Sequence, residues 1–214
     1  MAAIKVNPTR MELKRLKGQL ATARRGHKLL KDKCDELMRR FLDAVREAKE
    51  LREKLSLTLG DVDGRFSIAA AQTDPRMMTA ALMLPAGGGE LSVGEENIMS
   101  VIVPRYDFSY DKGKSASPYG FAFTTSALDL ATDELTDVLP ELVHLAQLEK
   151  TSLLLCDEIE RTRRRVNALE YIMIPQYEVQ IKEISMKLDE NERGNLSRLM
   201  KVKDMVLKQS HNFT

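Results

Sequence analysis

LKRLKGQLATARRGHKLLKDKCDELMRRFLDAVREAKELREKL, residues 13–55, steps by three and then four residues through Leu13, Leu16, Leu20, Ala23, His27, Leu30, Cys34, Leu37, Phe41, Ala44, Ala48, Leu51 and Leu55. Only His27 in that series is not apolar. A spacing that averages 3.5 residues stays on one helix face only if the helix supercoils against another helix. At 1.5 Å per residue the run makes a rod of roughly 60 Å. Such a length points to mechanical or connective work rather than to a globular core.

Outward from this stretch, NPTRMEL supplies a start: Asn7 or Thr9 can cap orphan amides, Pro8 tolerates an early helical position, and Glu12 lies three residues after Thr9. LGDVDG, with Gly60 and Gly64, predicts the stop near residue 60. A second 3-4 stripe runs through Leu128, Ala131, Leu135, Val138, Leu142 and Leu145, and continues through Ile159, Val166, Leu169, Met173, Tyr177, Ile181, Ile184, Leu188, Leu199, Val202 and Val206. Near Tyr177 the spacing becomes four and four, and Pro175 removes a backbone donor. A bend or loosened turn is expected there, because the periodicity resumes at once. Pro140 is expected to kink this helix or to start a new one.

Two such helices fold back most simply as an antiparallel hairpin. The expected fold is mainly all-α: a long antiparallel two-helix coiled coil with a small middle insertion carrying a short helix and a β-hairpin. The expected segments are an N-terminal helix over 9–59, a middle segment over 60–125, a C-terminal helix over 126–208 and a disordered tail over 209–214. Because the second helix is the longer, the residues from Leu128 to Ile159 are expected to lack a helical partner and to need cover from the middle segment. A short helical piece over 65–83 is the candidate cover. After Pro85, Gly87 to Gly89 break the helix, and Ile98 to Val103 reads as a β-rich run that pairs with Leu91 to Val93. Tyr106, Phe108 and Tyr110 alternate, as do Tyr119, Phe121 and Phe123 beyond DKGKSASP, which allows a second hairpin. A lone hairpin is marginal, so this aromatic-rich knob must lean on the helices or on another chain.

Composition agrees with helices wetted on most of their surface: 5% of the 214 residues are aromatic, Trp is absent and 30% are charged. The net charge of +1 hides a partition. Residues 1–60 carry 16 Lys+Arg against 8 Asp+Glu, and residues 61–148 carry 5 against 13. The basic charges of the first helix have Asp32, Asp35 and Glu36 between them, which argues against nucleic acid. Cys34 and Cys156 make no disulfide framework, and neither a signal peptide nor an apolar run of about 18 residues is present. A reduced, cytosolic chain without membrane insertion is expected.

Chemistry is hard to find. The triple glycine is followed by no Lys-Ser or Lys-Thr. DVDG places its glycine at the wrong position for a calcium loop. His27, His144 and His211 have no Cys or His at ligand spacing. No catalytic, cofactor-binding or metal residue is expected. His27, alone among apolar positions, either fixes register or faces the seam's edge. One charged group stands apart: Arg161, Arg163, Arg164 and Arg165 occupy five positions and span most of the helix circumference. They pair either within the helix, with Glu158, Glu160 and Glu170, or with an acidic surface of another protein.

VNPTRMEL from Val6, RGHKLLKDKCDEL from Arg25, NIMSVIVP from Asn97 and IERTRRRVNALEYIMIPQ from Ile159 resemble the D subunits of V-type (A/V-type) ATPases/ATP synthases, in that family's order and as far as about Lys203. AGGGELSVGEEN and the tail LKQSHNFT depart from the family pattern. The resemblance implies a central rotor shaft without catalytic residues or cofactor, coupling ATP hydrolysis or synthesis to proton or sodium transport. Its implied partners are the A and B subunits of the catalytic hexamer, around both termini; the F subunit, alongside the helices; and the C subunit (d in eukaryotes) on the membrane rotor ring. The implied location is the cytoplasmic face of the membrane, peripheral through the complex. A seam of Leu13, Leu16, Leu20, Leu30, Leu37, Phe41, Leu51, Leu55, Val166, Leu169, Ile181, Ile184, Leu188, Leu199 and Val202 would hold the shaft, with Arg161, Arg163, Arg164 and Arg165 as contacts to its partners. The residues by themselves also fit a free-standing cytosolic coiled-coil adaptor or tether.

Overall fold

The computed structural model describes residues 7–83, 88–110, 119 and 124–211, with side chains as far as residue 207. Val6, Pro85, Gly87, the DKGKSASP segment, Phe121, Phe123 and residues 212–214, on which several expectations fall, lie outside the described residues. The element order is α1 (Arg10–Gln72), α2 (Pro75–Leu82), β1 (Gly89–Ile98), β2 (Val101–Tyr110), α3 (Ser126–Ala168), a π-turn (Leu169–Met173) and α4 (Ile174–His211). By internal contacts the chain divides into two units, Met1–Cys34 with Arg161–Thr214, and Asp35–Glu160.

Helix α1 starts as its residues dictate. Thr9 Oγ1 accepts a hydrogen bond from the Glu12 N–H at 3.2 Å, so an otherwise orphaned amide of the first turn is satisfied. The stop expected at Gly60 is a correction: α1 runs twelve residues further, to Gln72. Ala48, Leu55, Val62 and Ala69, seven residues apart and all buried, carry one stripe straight through Gly60 and Gly64. Each glycine costs about 1 kcal/mol of helix propensity, while burying a Val side chain returns about 1.5–3 kcal/mol. Burial wins, and the helix continues.

In the unit Asp35–Glu160, α1 faces α3. Lys54 Nζ lies 2.6 Å from Glu141 Oε1, Arg65 Nη1 lies 2.6 Å from Glu134 Oε1, and Arg52 pairs with Glu149. Partner numbers fall as α1 numbers rise, so the helices are antiparallel. The residues from Leu128 to Ile159 thus have α1 itself as partner, which corrects the expectation of an unpaired surplus. α2 is separate from α1: Asp74 caps it by accepting the Arg76 N–H at 2.8 Å, with Pro75 in the first turn. Of the piece expected over 65–83, the first eight residues therefore belong to α1. Ala81 of α2 joins Ala69 and Leu128 in a buried cluster, with Phe66, Met78 and Tyr119 around it. Pro140 lies inside α3 and starts no new helix.

The hairpin brings a further correction. Ile98 to Val103 is not one strand, because Met99 and Ser100 form the turn at its centre with φ of 52° and 73°. Positive φ at both loop residues is what a two-residue type I′ turn requires, and Asn97 Oδ1 steadies it by accepting the Ser100 N–H at 2.8 Å. Tyr106, Phe108 and Tyr110 belong to β2 and pair with Val93, Leu91 and Gly89; the other strand expected for a second hairpin falls on Phe121 and Phe123, outside the described residues. The hairpin leans on the helices of its unit. Val101 and Val103 are buried, and the Tyr106 N–H donates to Gln147 Oε1 of α3 at 3.0 Å.

In the other unit, α1 faces the end of α3, the π-turn and α4. Arg10 pairs with Glu192, Arg24 Nη2 lies 2.6 Å from Glu178 Oε1, and His27 Nε2 lies 3.4 Å from Glu170 Oε2, again antiparallel. The loosened turn falls at Leu169–Met173, where the Ile174 N–H bonds to the Leu169 carbonyl five residues back. Pro175 has no N–H for the Tyr171 carbonyl and its ring would crowd that carbonyl in an α-turn; the wider π-turn relieves both.

Candidate interaction surface

The surface is built on what α1, α3 and α4 leave outside. Along α1, Leu16, Leu37 and Leu55 are buried, while Leu13, Leu20, Leu30, Phe41 and Leu51 are half-buried. On the facing helices Val166 and Ile184 are buried, and Leu169, Ile181 and Leu188 are half-buried. Leu199 and Val202, placed on the seam from spacing, are instead 64% and 50% exposed. The reason is length: α1 begins at Arg10, whose partner is Glu192, so the turns of α4 beyond that point extend past the start of their neighbour. Four buried positions are missing from the stripe read from spacing: Leu148, Thr151 and Leu155 fill the gap between Leu145 and Ile159, and Thr162 the gap between Ile159 and Val166, two of the four being threonines. The signal is present, since a threonine methyl suits an apolar face, but an apolar-only count passes over it.

The arginines lie around the rest of α3. Thr162 and Val166 are buried while Arg161, Arg163, Arg164 and Arg165 are exposed, so the guanidinium groups occupy the flanks and back of the helix. Glu170, offered from spacing as an intrahelical partner, faces His27 across the pair instead. Arg164 is engaged by other groups of the chain. Among the cations of α1, Arg10 and Arg24 are matched across their unit, as Arg52 and Lys54 are in theirs. Part of the basic excess in residues 1–60 is therefore neutralised by the chain's own carboxylates. These pairs are exposed and contribute about 0–1 kcal/mol each, so they orient the helices more than they stabilise them.

Beside the π-turn a recess of about 560 Å³ opens between Gly18, Thr22 and Gly26 of α1 and Leu169, Met173 and Tyr177. Gly18, Thr22 and Gly26, four residues apart, leave a furrow where longer side chains would fill the seam. Further along α4, Leu196, Leu199, Met200, Met205 and Val206 are all more than half exposed. Among the described residues no group of His, Cys, Asp and Glu is placed to hold a metal ion, and no helix is long and apolar enough to cross a membrane.

Antiparallel helix pairs with buried seams, cation-studded backs and a hairpin-bearing insert define a class of helical protein that works by contact. Within that class the chain belongs to the family of ATP synthase D subunits, whose model matches residues 12–204. It is similar to the D subunit of the V-type ATP synthase of Acetivibrio thermocellus, 59% identical over 215 aligned positions covering 100% of this chain and 97% of that one. The V-type ATP synthase D subunits of Clostridioides difficile, 52% identical over 98% of this chain and 95% of that one, and Enterococcus faecalis, 51% identical over 96% and 98%, are similar too. Membership makes the chain a non-catalytic stalk component of a rotary ATPase, the ion-translocating activity being that of the complex, and disfavours the free-standing tether.

Proposed function

We propose that this chain is the shaft through which the ATP-driven hexamer of A and B subunits and the membrane rotor ring exchange torque. The observation that supports this most is the division of each helix pair into a buried side and a charged, exposed side. A packed two-helix seam resists twisting because any twist shears many side-chain contacts at once. Hydrated charged contacts on the outside can be exchanged during rotation without deep desolvation. In this reading the seam residues from Leu13 to Leu55 and from Val166 to Leu188 hold the shaft together. Arg161, Arg163, Arg164 and Arg165 meet acidic surfaces of the surrounding hexamer or of the F subunit. The exposed apolar turns of α4 from Leu196 onward reach into the hexamer, and the middle segment between α1 and α3, residues 73–125, meets the C subunit (d in eukaryotes) on the ring. The chain then works at the cytoplasmic face, carried there by its partners, and the ring decides between H⁺ and Na⁺.

The test is reconstitution. Mixed with the F subunit and with the A–B hexamer at micromolar concentration, the chain should elute with both and hydrolyse no ATP alone. A chain that elutes alone from every mixture overturns the reading.

A further inference from the structure

The turn at Met99–Ser100 determines which backbone groups of the hairpin are free. In a two-residue loop Ile98 and Val101 are the closing hydrogen-bonded pair. The ladder then bonds Glu96 to Val103, Gly94 to Arg105, Ser92 to Asp107 and Glu90 to Ser109, and every intervening residue turns its N–H and C=O outward. Two observations on β2 agree with this phase. Pro104, with no N–H, occupies an outward position, and the outward N–H of Tyr106 is taken by Gln147. The edge of β2 is thus blunted and covered.

Among the described residues, the edge of β1 is neither. Its outward groups belong to Gly89, Leu91, Val93, Glu95 and Asn97, none of them proline, on a ten-residue strand exposed everywhere except at Gly94 and Ile98. No backbone group of those five is paired outward among the described residues. Long unguarded edges accept a further strand. The two faces of β1 differ in chemistry: Leu91 and Val93, 49% and 63% exposed, share one face with a single carboxylate, Glu95, whereas Glu90 and Glu96 share the other with Asp107, on the side where Val101 and Val103 are buried. Arg105, the hairpin's one cation, lies 3.5 Å from Asp107, and Arg40 of α1, which pairs with Glu36, lines one recess with Glu96 beside Asp43 and Glu47, so the acids remain in excess. A second copy of β1 would bring like charges together. The complement is a strand with apolar residues on one face and cations on the other.

We propose that the outer edge of β1 docks an extended segment of a partner chain in which apolar residues alternate with Lys or Arg, added as a third strand. This goes beyond the stalk assignment and stands independently of it. A synthetic peptide of alternating Val and Lys, titrated into the full chain and followed by fluorescence anisotropy, is the probe. Saturable binding is expected, weakened roughly tenfold or more by N-methylation of alternate peptide residues and by Val93→Pro. Val93 points its N–H away from β2, so the hairpin should keep its ladder in that variant, checked by slow amide exchange at Ser92 and Gly94. Should Val93→Pro disrupt the hairpin, the N-methylated peptide still reads the wild-type edge. Glu90→Gln with Glu96→Gln should weaken binding as well. Absence of saturable binding, binding indifferent to N-methylation, or concentration-dependent dimerisation of the chain through β1 overturns the proposal.

Discussion

Leu37 and Leu199 are the same residue type on the same expected seam, one in α1 and the other in α4, yet one is fully buried and the other 64% exposed. Truncating a buried leucine removes its transfer free energy and leaves a cavity, about 2–5 kcal/mol for Leu37→Ala. Leu37→Asp adds the cost of a buried charge and should unfold the centre of the helix pair. Leu199→Ser should change stability by at most about 0.5 kcal/mol. Urea titrations followed by helical circular dichroism check all three, and equal effects at both sites would show that the seam is misplaced. His27 illustrates what stays open at this scale: spacing places it on the seam, but only the fold brings Glu170 within 3.4 Å of it, across 143 residues of sequence. Such distant pairing leaves no trace in a local pattern.

Elements differ in how far their residues announce them. The start of α1 is legible because Thr9 and Glu12 form a local motif, and the antiparallel pairing is legible because two stripes of the same period need each other. Its end is not, since Gly60 and Gly64 read locally as a stop and only the buried heptad of Ala48, Leu55, Val62 and Ala69 overrides them. Pro175 and the four-and-four spacing signal a loosened turn, while its placement at Leu169–Met173 follows from relieving the Tyr171 carbonyl. The hairpin turn is hidden because Met-Ser is an unusual pair for positive φ. Left-handed conformations cost a non-glycine residue about 1–2 kcal/mol. Replacing Met99 and Ser100 by Asn and Gly should therefore stabilise the hairpin by about 1 kcal/mol, seen as slower amide exchange at Val101 and Val103. Faster exchange would mean that the wild-type side chains hold the turn by contacts outweighing its strain.

At the scale of the molecule the charges matter more than the core. Arg10, Arg24, Arg52, Lys54 and Arg65 find carboxylates within their own units, and the exposed arginines at 161, 163, 164 and 165, of which Arg164 is engaged by other groups of the chain, lie on the flanks and back of α3. Changing Arg163, Arg164 and Arg165 together to Gln should cost at most about 1 kcal/mol of stability and leave helicity unchanged, while lowering ATP-driven ion transport by the assembled complex. A loss of helicity with unchanged transport would return these arginines to an internal structural role. The partners themselves are legible only through resemblance, because a docking face has no internal complement to reveal it. The central claim, that the chain is the turning shaft, is tested most directly by fixing the A–B hexamer to a surface, attaching a bead to this chain and adding ATP. Unidirectional rotation of the bead, stopping when ATP is withdrawn, is the expected result. A hexamer that hydrolyses ATP while the bead on the bound chain stays still would contradict it.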